Sequence, residues 1–169
     1  IVTTLGSGVN GYVRRLSYSY NTQGLLEKAT SHSATSGGSV RNQVQRDYNG
    51  LAQITKEYQA HAGSVNTSTT PKVQYNYTTL DTNNRSRLSS MTYPNGRILR
   101  YEYSSGLDSD ISRLSFLADD ASGSVGTTLE EYSYLGLGRV VKRNRPEPDT
   151  ALTYIKDPGD TVAGDAGDQ

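Results

Sequence analysis

Cysteine is absent from this 169-residue chain, which excludes both a disulfide framework and a thiolate metal site. Tryptophan is absent as well, and phenylalanine and methionine occur once each. Leu, Ile, Val and Phe together number 32 of 169 residues, just under the level that accompanies disorder when net charge is high. Net charge is zero, with 17 basic residues against 17 acidic ones. That balance removes the concentrated basic surface that nucleic acid or an anionic membrane calls for. One small basic group, Arg139, Lys142, Arg143 and Arg145, reads as a solvated strand end, and Asp157 to Asp168 reads as a flexible acidic tail. Neither a secretory leader nor a membrane span is visible. The chain opens on Ile1 and stops at Gln169, which suggests a piece of a longer polypeptide, so the missing leader says little about localisation.

Catalytic chemistry is equally sparse. Only His32 and His61 could serve as near-neutral bases, and both read as surface residues in polar, loop-like surroundings. There is no Gly-x-Ser-x-Gly elbow, P-loop, His-Glu-x-x-His or dinucleotide fingerprint. Asp108-Ser109-Asp110 and Asp119-Asp120 are the acidic groups with any calcium character, but they lack the glycine, the third acid and the closing glutamate of a calcium loop. They read as solvated loop carboxylates. The expectation is therefore no enzyme, no catalytic or metal residues and no cofactor.

Tyrosine fills the gap, with 13 copies. A tyrosine can bury its ring while its hydroxyl stays wet or bonded, which restores enough apolar area for an ordered β structure. The copies recur as Tyr18-x-Tyr20, Tyr75-x-Tyr77, Tyr101-x-Tyr103 and Tyr132-x-Tyr134, each followed by Gly or Arg and aliphatic residues: Gly24-Leu25-Leu26, Arg87-Leu88, Arg113-Leu114 and Gly138-Arg139-Val140-Val141. A degenerate copy runs from Asp47 through Tyr48 to Ile54. A period of this kind indicates a stacked array. Val73, Tyr75 and Tyr77 alternate with polar neighbours, as do Leu99, Tyr101 and Tyr103, which is the pattern of half-buried strands. Pro94-Asn95-Gly96 between two such runs signals a hairpin turn. Ser31 to Ser39, Gly63 to Thr70 and Ala121 to Thr128 read as exposed loops, and Leu152 to Ile155 as one more strand. The spacing predicts an all-β fold of tandem antiparallel hairpins over residues 1–156, about five units in one continuous twisted sheet, followed by a tail over 157–169. Asn66 and Asn84, in loops, are candidate glycosylation acceptors, better placed than Asn76 on a strand.

The Tyr pairs, the Gly/Arg-Leu steps and above all Arg87-Leu88-Ser89-Ser90-Met91-Thr92-Tyr93-Pro94-Asn95-Gly96-Arg97 resemble the YD-repeat family, also called Rhs repeats, over residues 12–145. Similar repeats occur in bacterial Rhs proteins, in the C components of insecticidal toxin complexes and in the extracellular teneurins. Leu135 to Val140 and Ser105 to Asp108 resemble variants in large YD-repeat proteins of Planctomycetes-like bacteria. The resemblance implies hairpins joined edge to edge into a sheet that spirals around enclosed contents. The acidic residue expected after the second Tyr is missing here, replaced by Asn21, Thr78, Ser104 and Leu135. Asp157-Pro158-Gly159-Asp160 is only a fragment of the family's self-cleavage segment and reads as a turn.

Two functions follow as expectations. The first is a structural wall outside the cell: a sheet segment whose partners are identical copies in a filament or tube, or neighbouring YD repeats of a parent shell around a toxin. The second is a cell-surface module that stacks exposed Tyr rings on a glycan or a protein. Ring exposure discriminates between them.

Overall fold

The computed structural model describes residues 8, 10–78 and 86–154. The chain is all-β, as its alternation predicts. Eleven antiparallel strands follow one another in chain order, each hydrogen-bonded to its sequence neighbours. They are β1 (Arg15–Tyr20), β2 (Leu26–His32), β3 (Val40–Tyr48), β4 (Ile54–Ala60), β5 (Lys72–Tyr77), β6 (Leu88–Thr92), β7 (Ile98–Glu102), β8 (Phe116–Ala121), β9 (Ser124–Leu135), β10 (Arg139–Arg145) and β11 (Thr150–Thr153). One helical turn, α1 (Leu107–Asp110), interrupts the β7–β8 connection. The chain divides into two compact units, Ile1–Tyr75 and Asn76–Gln169. The tail over 157–169 lies outside the described residues.

Little of the sheet is buried outright. Tyr58 and Ala60 are the buried apolar residues described in the first unit, Ala118 and Val141 those in the second. Most other strand residues are half-exposed, which is what a chain poor in Leu, Ile, Val and Phe can build. Cohesion comes instead from strand pairing and from contacts between side chains opposite one another across strands.

Side-chain oxygens close two of the turns. In the β1–β2 turn the Asn21 side-chain oxygen accepts from the N–H groups of Gln23 (3.0 Å) and Leu25 (2.9 Å). In the β3–β4 turn Asn49 accepts from Leu51 (2.9 Å) and Gln53 (3.0 Å) in the same pattern. In these two turns asparagine supplies an acceptor oxygen without charge. Thr78 does related work, its hydroxyl taking the Arg87 N–H at 3.1 Å.

Both asparagine turns close on a left-handed residue: Gly24 at φ 76° and Ala52 at φ 61°. A side chain in that conformation is strained and a glycine is not. Ala52→Gly is expected to raise stability by about 0.5–1 kcal/mol, read as a higher urea midpoint with an unchanged m-value. Gly24→Ala should lower it by a similar amount.

The Pro94-Asn95-Gly96 turn joins β6 to β7 as expected, with Gly96 at φ 86° and the Asn95 side chain accepting from Arg97 N–H at 3.0 Å. Two loop expectations need correction. Ala121 to Thr128 is mostly strand: β8 runs to Ala121 and β9 begins at Ser124, so only Ser122-Gly123 turn. Both have positive φ, 53° and 90°, giving a two-residue hairpin turn that the Ser/Gly/Thr composition disguised. Ser31 and His32 likewise belong to β2, because they pair with β1 and β3 on either side.

Candidate functional site: a repeated tyrosine clasp

Strand register places Tyr48, Tyr103 and Tyr134 across from a residue at or just before the start of the preceding strand. Tyr48 ends β3 and its hydroxyl donates to Leu26 O at 2.7 Å. Tyr103, just past β7, donates to Leu88 O at 3.0 Å. Tyr134 on β9 donates to Leu114 O at 2.6 Å. Each hydroxyl therefore reaches the backbone of the preceding strand or of the segment that leads into it, where the carbonyl of an apolar residue receives it.

In two of these clasps an arginine closes the ring face. The Arg87 guanidinium lies 4.3 Å over the Tyr103 ring, and that of Arg113 lies 4.3 Å over Tyr134. Both then reach onward into the next turn: Arg87 Nη1 donates to Ser109 O at 2.9 Å, and Arg113 Nη1 to Gly136 O at 2.6 Å. Burial raises the pKa of the Tyr103 and Tyr134 hydroxyls, against the pull of the nearby guanidinium. These tyrosines stay neutral donors at ordinary pH.

Reading the sequence alone paired each Tyr with the Gly/Arg-Leu step that follows it. For Tyr103 and Tyr134 the contacts are with the Arg-Leu step before it, across the Pro94-Asn95-Gly96 and Ser122-Gly123 turns. Direct Tyr–Tyr ladders across adjacent strands do not form between Tyr101 on β7 and Tyr132 on β9, because β8 lies between those strands. Within β9, the Tyr132 and Tyr134 rings sit 6.4 Å apart.

The first strand breaks the pattern. Leu16, Tyr18 and Tyr20 alternate along β1 and share one face, yet are 61%, 57% and 62% exposed. Among the described residues β1 pairs only with β2, so no preceding strand covers these rings. Tyr75, Tyr77, Tyr101, Tyr103, Tyr132 and Tyr134 are all partly covered.

The acidic pairs are not freely solvated. Asp108 is bonded by Arg113 Nε at 2.6 Å and by the Ser115 hydroxyl at 2.5 Å. The Ser115 hydroxyl, then Arg113, holds its carboxyl below the usual range. Asp119 pairs with Arg97 at 2.8 Å and Asp120 with Arg100 at 2.9 Å. No group of three or more potential metal ligands occurs among the described residues. These carboxylates fasten strands and turns; only the register of β7, β8 and the α1 loop reveals their partners.

A shallow recess of about 230 Å³ is lined by Tyr132, Val140, Arg143 and Tyr154. Arg143 there is paired with Glu130 at 2.7 Å, as is Arg145 at 3.2 Å. Of the candidate glycosylation sites, Asn66 is exposed in a turn where its side chain accepts from Ser68 N–H at 2.9 Å. Asn84 lies outside the described residues. Asn76 on β5 donates to Ser90 Oγ at 3.0 Å. No helix among the described residues is long and apolar enough to cross a membrane.

No protein-family model matches the chain, and no curated protein matches it. The resemblance to YD repeats rests on the residues quoted above.

Proposed function

We propose that this chain is a non-enzymatic structural segment, a sheet that grows by adding hairpins edge to edge outside the cell. The observation that carries this reading is the contrast between clasped tyrosines and the bare row on β1. Tyr48, Tyr103 and Tyr134 each dock their hydroxyl on the strand that precedes them or on the segment that leads into it. Tyr18 and Tyr20 present the same chemistry at an edge that also offers backbone donors and acceptors for another strand. A second copy of the chain, or a neighbouring YD-type repeat of a parent shell, supplies such a strand. Contacts of this head-to-tail kind give a filament or tube where the rotation between copies does not close a ring.

The test is sedimentation velocity across a concentration series, with negative-stain imaging. The chain should associate in a concentration-dependent way, and Leu16→Lys combined with Tyr20→Lys should abolish association while leaving the far-UV spectrum unchanged. Monodisperse monomers at every concentration would overturn self-assembly. A second reading, a surface module for glycan or protein, draws on the same exposed Tyr18 and Tyr20 and on the Tyr132–Tyr154 recess. Loss of glycan-array signal in the β1 variant, with no change in sedimentation, would favour it.

A further inference from the structure

At the opposite end of β1 from Tyr20, three nitrogen-bearing side chains form one row across three strands. Arg15 on β1 lies directly opposite His32 on β2. On the far side of His32, β3 carries a bulge: His32 pairs with Val40 and Ser31 with Asn42, so Arg41 is the inserted residue. A bulge places two residues against one and re-aims a side chain, here bringing Arg41 to the His32 position.

Each of the three has a buried nitrogen without a hydrogen-bond partner: Arg15 Nε, His32 Nδ1 and Arg41 Nε. Buried polar atoms are nearly always satisfied, so three in one row call for a specific explanation. The other ring nitrogen of His32 is engaged, with Ser17 Oγ 2.8 Å from Nε2. When the Ser17 hydroxyl donates to Nε2, Nδ1 carries the proton and is a third donor. Arg41 is held in place by the Tyr12 ring, 4.3 Å from its guanidinium carbon, a contact that fixes the cation without neutralising it.

Charge points the same way. No Asp or Glu occurs before Glu27, and none between Glu27 and Asp47. Glu27 sits at the start of β2 and Asp47 near the end of β3, far along the strands from His32 and Arg41. Elsewhere in the chain Arg46, Arg97, Arg100, Arg113 and Arg143 each meet a carboxylate. Arg15 and Arg41, on the strands either side of His32, meet no carboxylate among the described residues.

We propose that Arg15, His32 and Arg41 form a binding site for a tetrahedral oxyanion, a phosphate or sulfate group. Such an anion offers several acceptor oxygens to converging donors and matches the fixed fork of a guanidinium.

The experiment is calorimetric titration of the full chain at constant ionic strength with inorganic phosphate, inorganic sulfate and acetate. Phosphate and sulfate should each bind saturably at one site, with acetate weaker. Arg15→Gln and Arg41→Gln should each weaken phosphate about tenfold or more. Arg14→Gln removes the same charge one residue away, from a side chain whose Nε already donates to Gly11 O, and should change affinity less than about twofold. Arg41→Lys, which keeps the charge but loses the Nε–H, should bind more weakly than the unaltered chain. In ¹⁵N spectra the Nε resonances of Arg15 and Arg41 should move on adding phosphate. Unsaturable binding, acetate as tight as phosphate, or an equal loss in Arg14→Gln would overturn the site.

Discussion

Arg113→Ala is expected to lower stability by about 3 kcal/mol, among the largest effects of any single substitution in Asn76–Gln169. The Arg113 and Asp108 side chains are only 14% and 19% exposed, so removing the cation leaves a mostly buried carboxylate, for which the cost runs to about 3–5 kcal/mol when burial is complete. The same change frees the Gly136 carbonyl and uncovers the face of the Tyr134 ring. Arg87→Ala should cost about 1.5 kcal/mol, since it gives up a ring contact and the Ser109 carbonyl rather than an ion pair. Urea unfolding at pH 7 orders the two, and equal losses would refute the weight given to Asp108.

Acid sharpens that test. The Asp108 carboxyl is held below its ordinary range by Ser115 and then Arg113, so its contribution to stability is fully present above the unfolded-state pKa of about 3.9. It disappears as pH falls through the lower folded-state value. Asp120, lowered by the Gly123 N–H and then Arg100, has the same sign. The unaltered chain should therefore lose urea resistance below about pH 4. Asp108→Asn should be weaker at pH 7 and show a shallower decline in acid, with the remaining slope owed in part to Asp120.

Hairpins were legible in the sequence because the tyrosine alternation has the period of a strand and Pro94-Asn95-Gly96 has the chemistry of a turn. The role of the arginines was not, since Arg87 and Arg113 meet Tyr103 and Tyr134 only through cross-strand register, and spacing along the chain pointed each Arg-Leu step backward to the wrong tyrosine. Asn21 reads as the loss of an acidic residue along the chain, whereas its side-chain oxygen closes the β1–β2 turn as that of Asn49 closes the β3–β4 turn. Ser122-Gly123 hid a hairpin within a stretch whose composition reads as a loop. The composition around His32 likewise reads as a loop. Its partners Ser17 and Arg15 lie on another strand, far from it in sequence.

In Ile1–Tyr75 the corresponding large effect belongs to Tyr58, 2% exposed and the largest fully buried side chain. It pairs with Gln45 on β3 and Lys72 on β5, with the Lys72 ammonium 5.6 Å from its ring. Tyr58→Ala should cost about 4 kcal/mol, as for other buried aromatics, because Gln45 and Lys72 are poor candidates to collapse into the space. Tyr58→Phe separates ring from hydroxyl: it removes the buried hydroxyl on which the Asp47 charge acts and should cost about 1 kcal/mol. Burial, then the Asp47 charge, raises the Tyr58 pKa, so its neutral form contributes stability that is whole below the unfolded value of about 10. That contribution is lost as pH rises through the folded-state value. Tyr58→Phe should accordingly lose less urea resistance than the unaltered chain between neutral pH and about pH 11. Equal alkaline losses in the two proteins would show that the hydroxyl of Tyr58 is not the buried group that ionisation penalises.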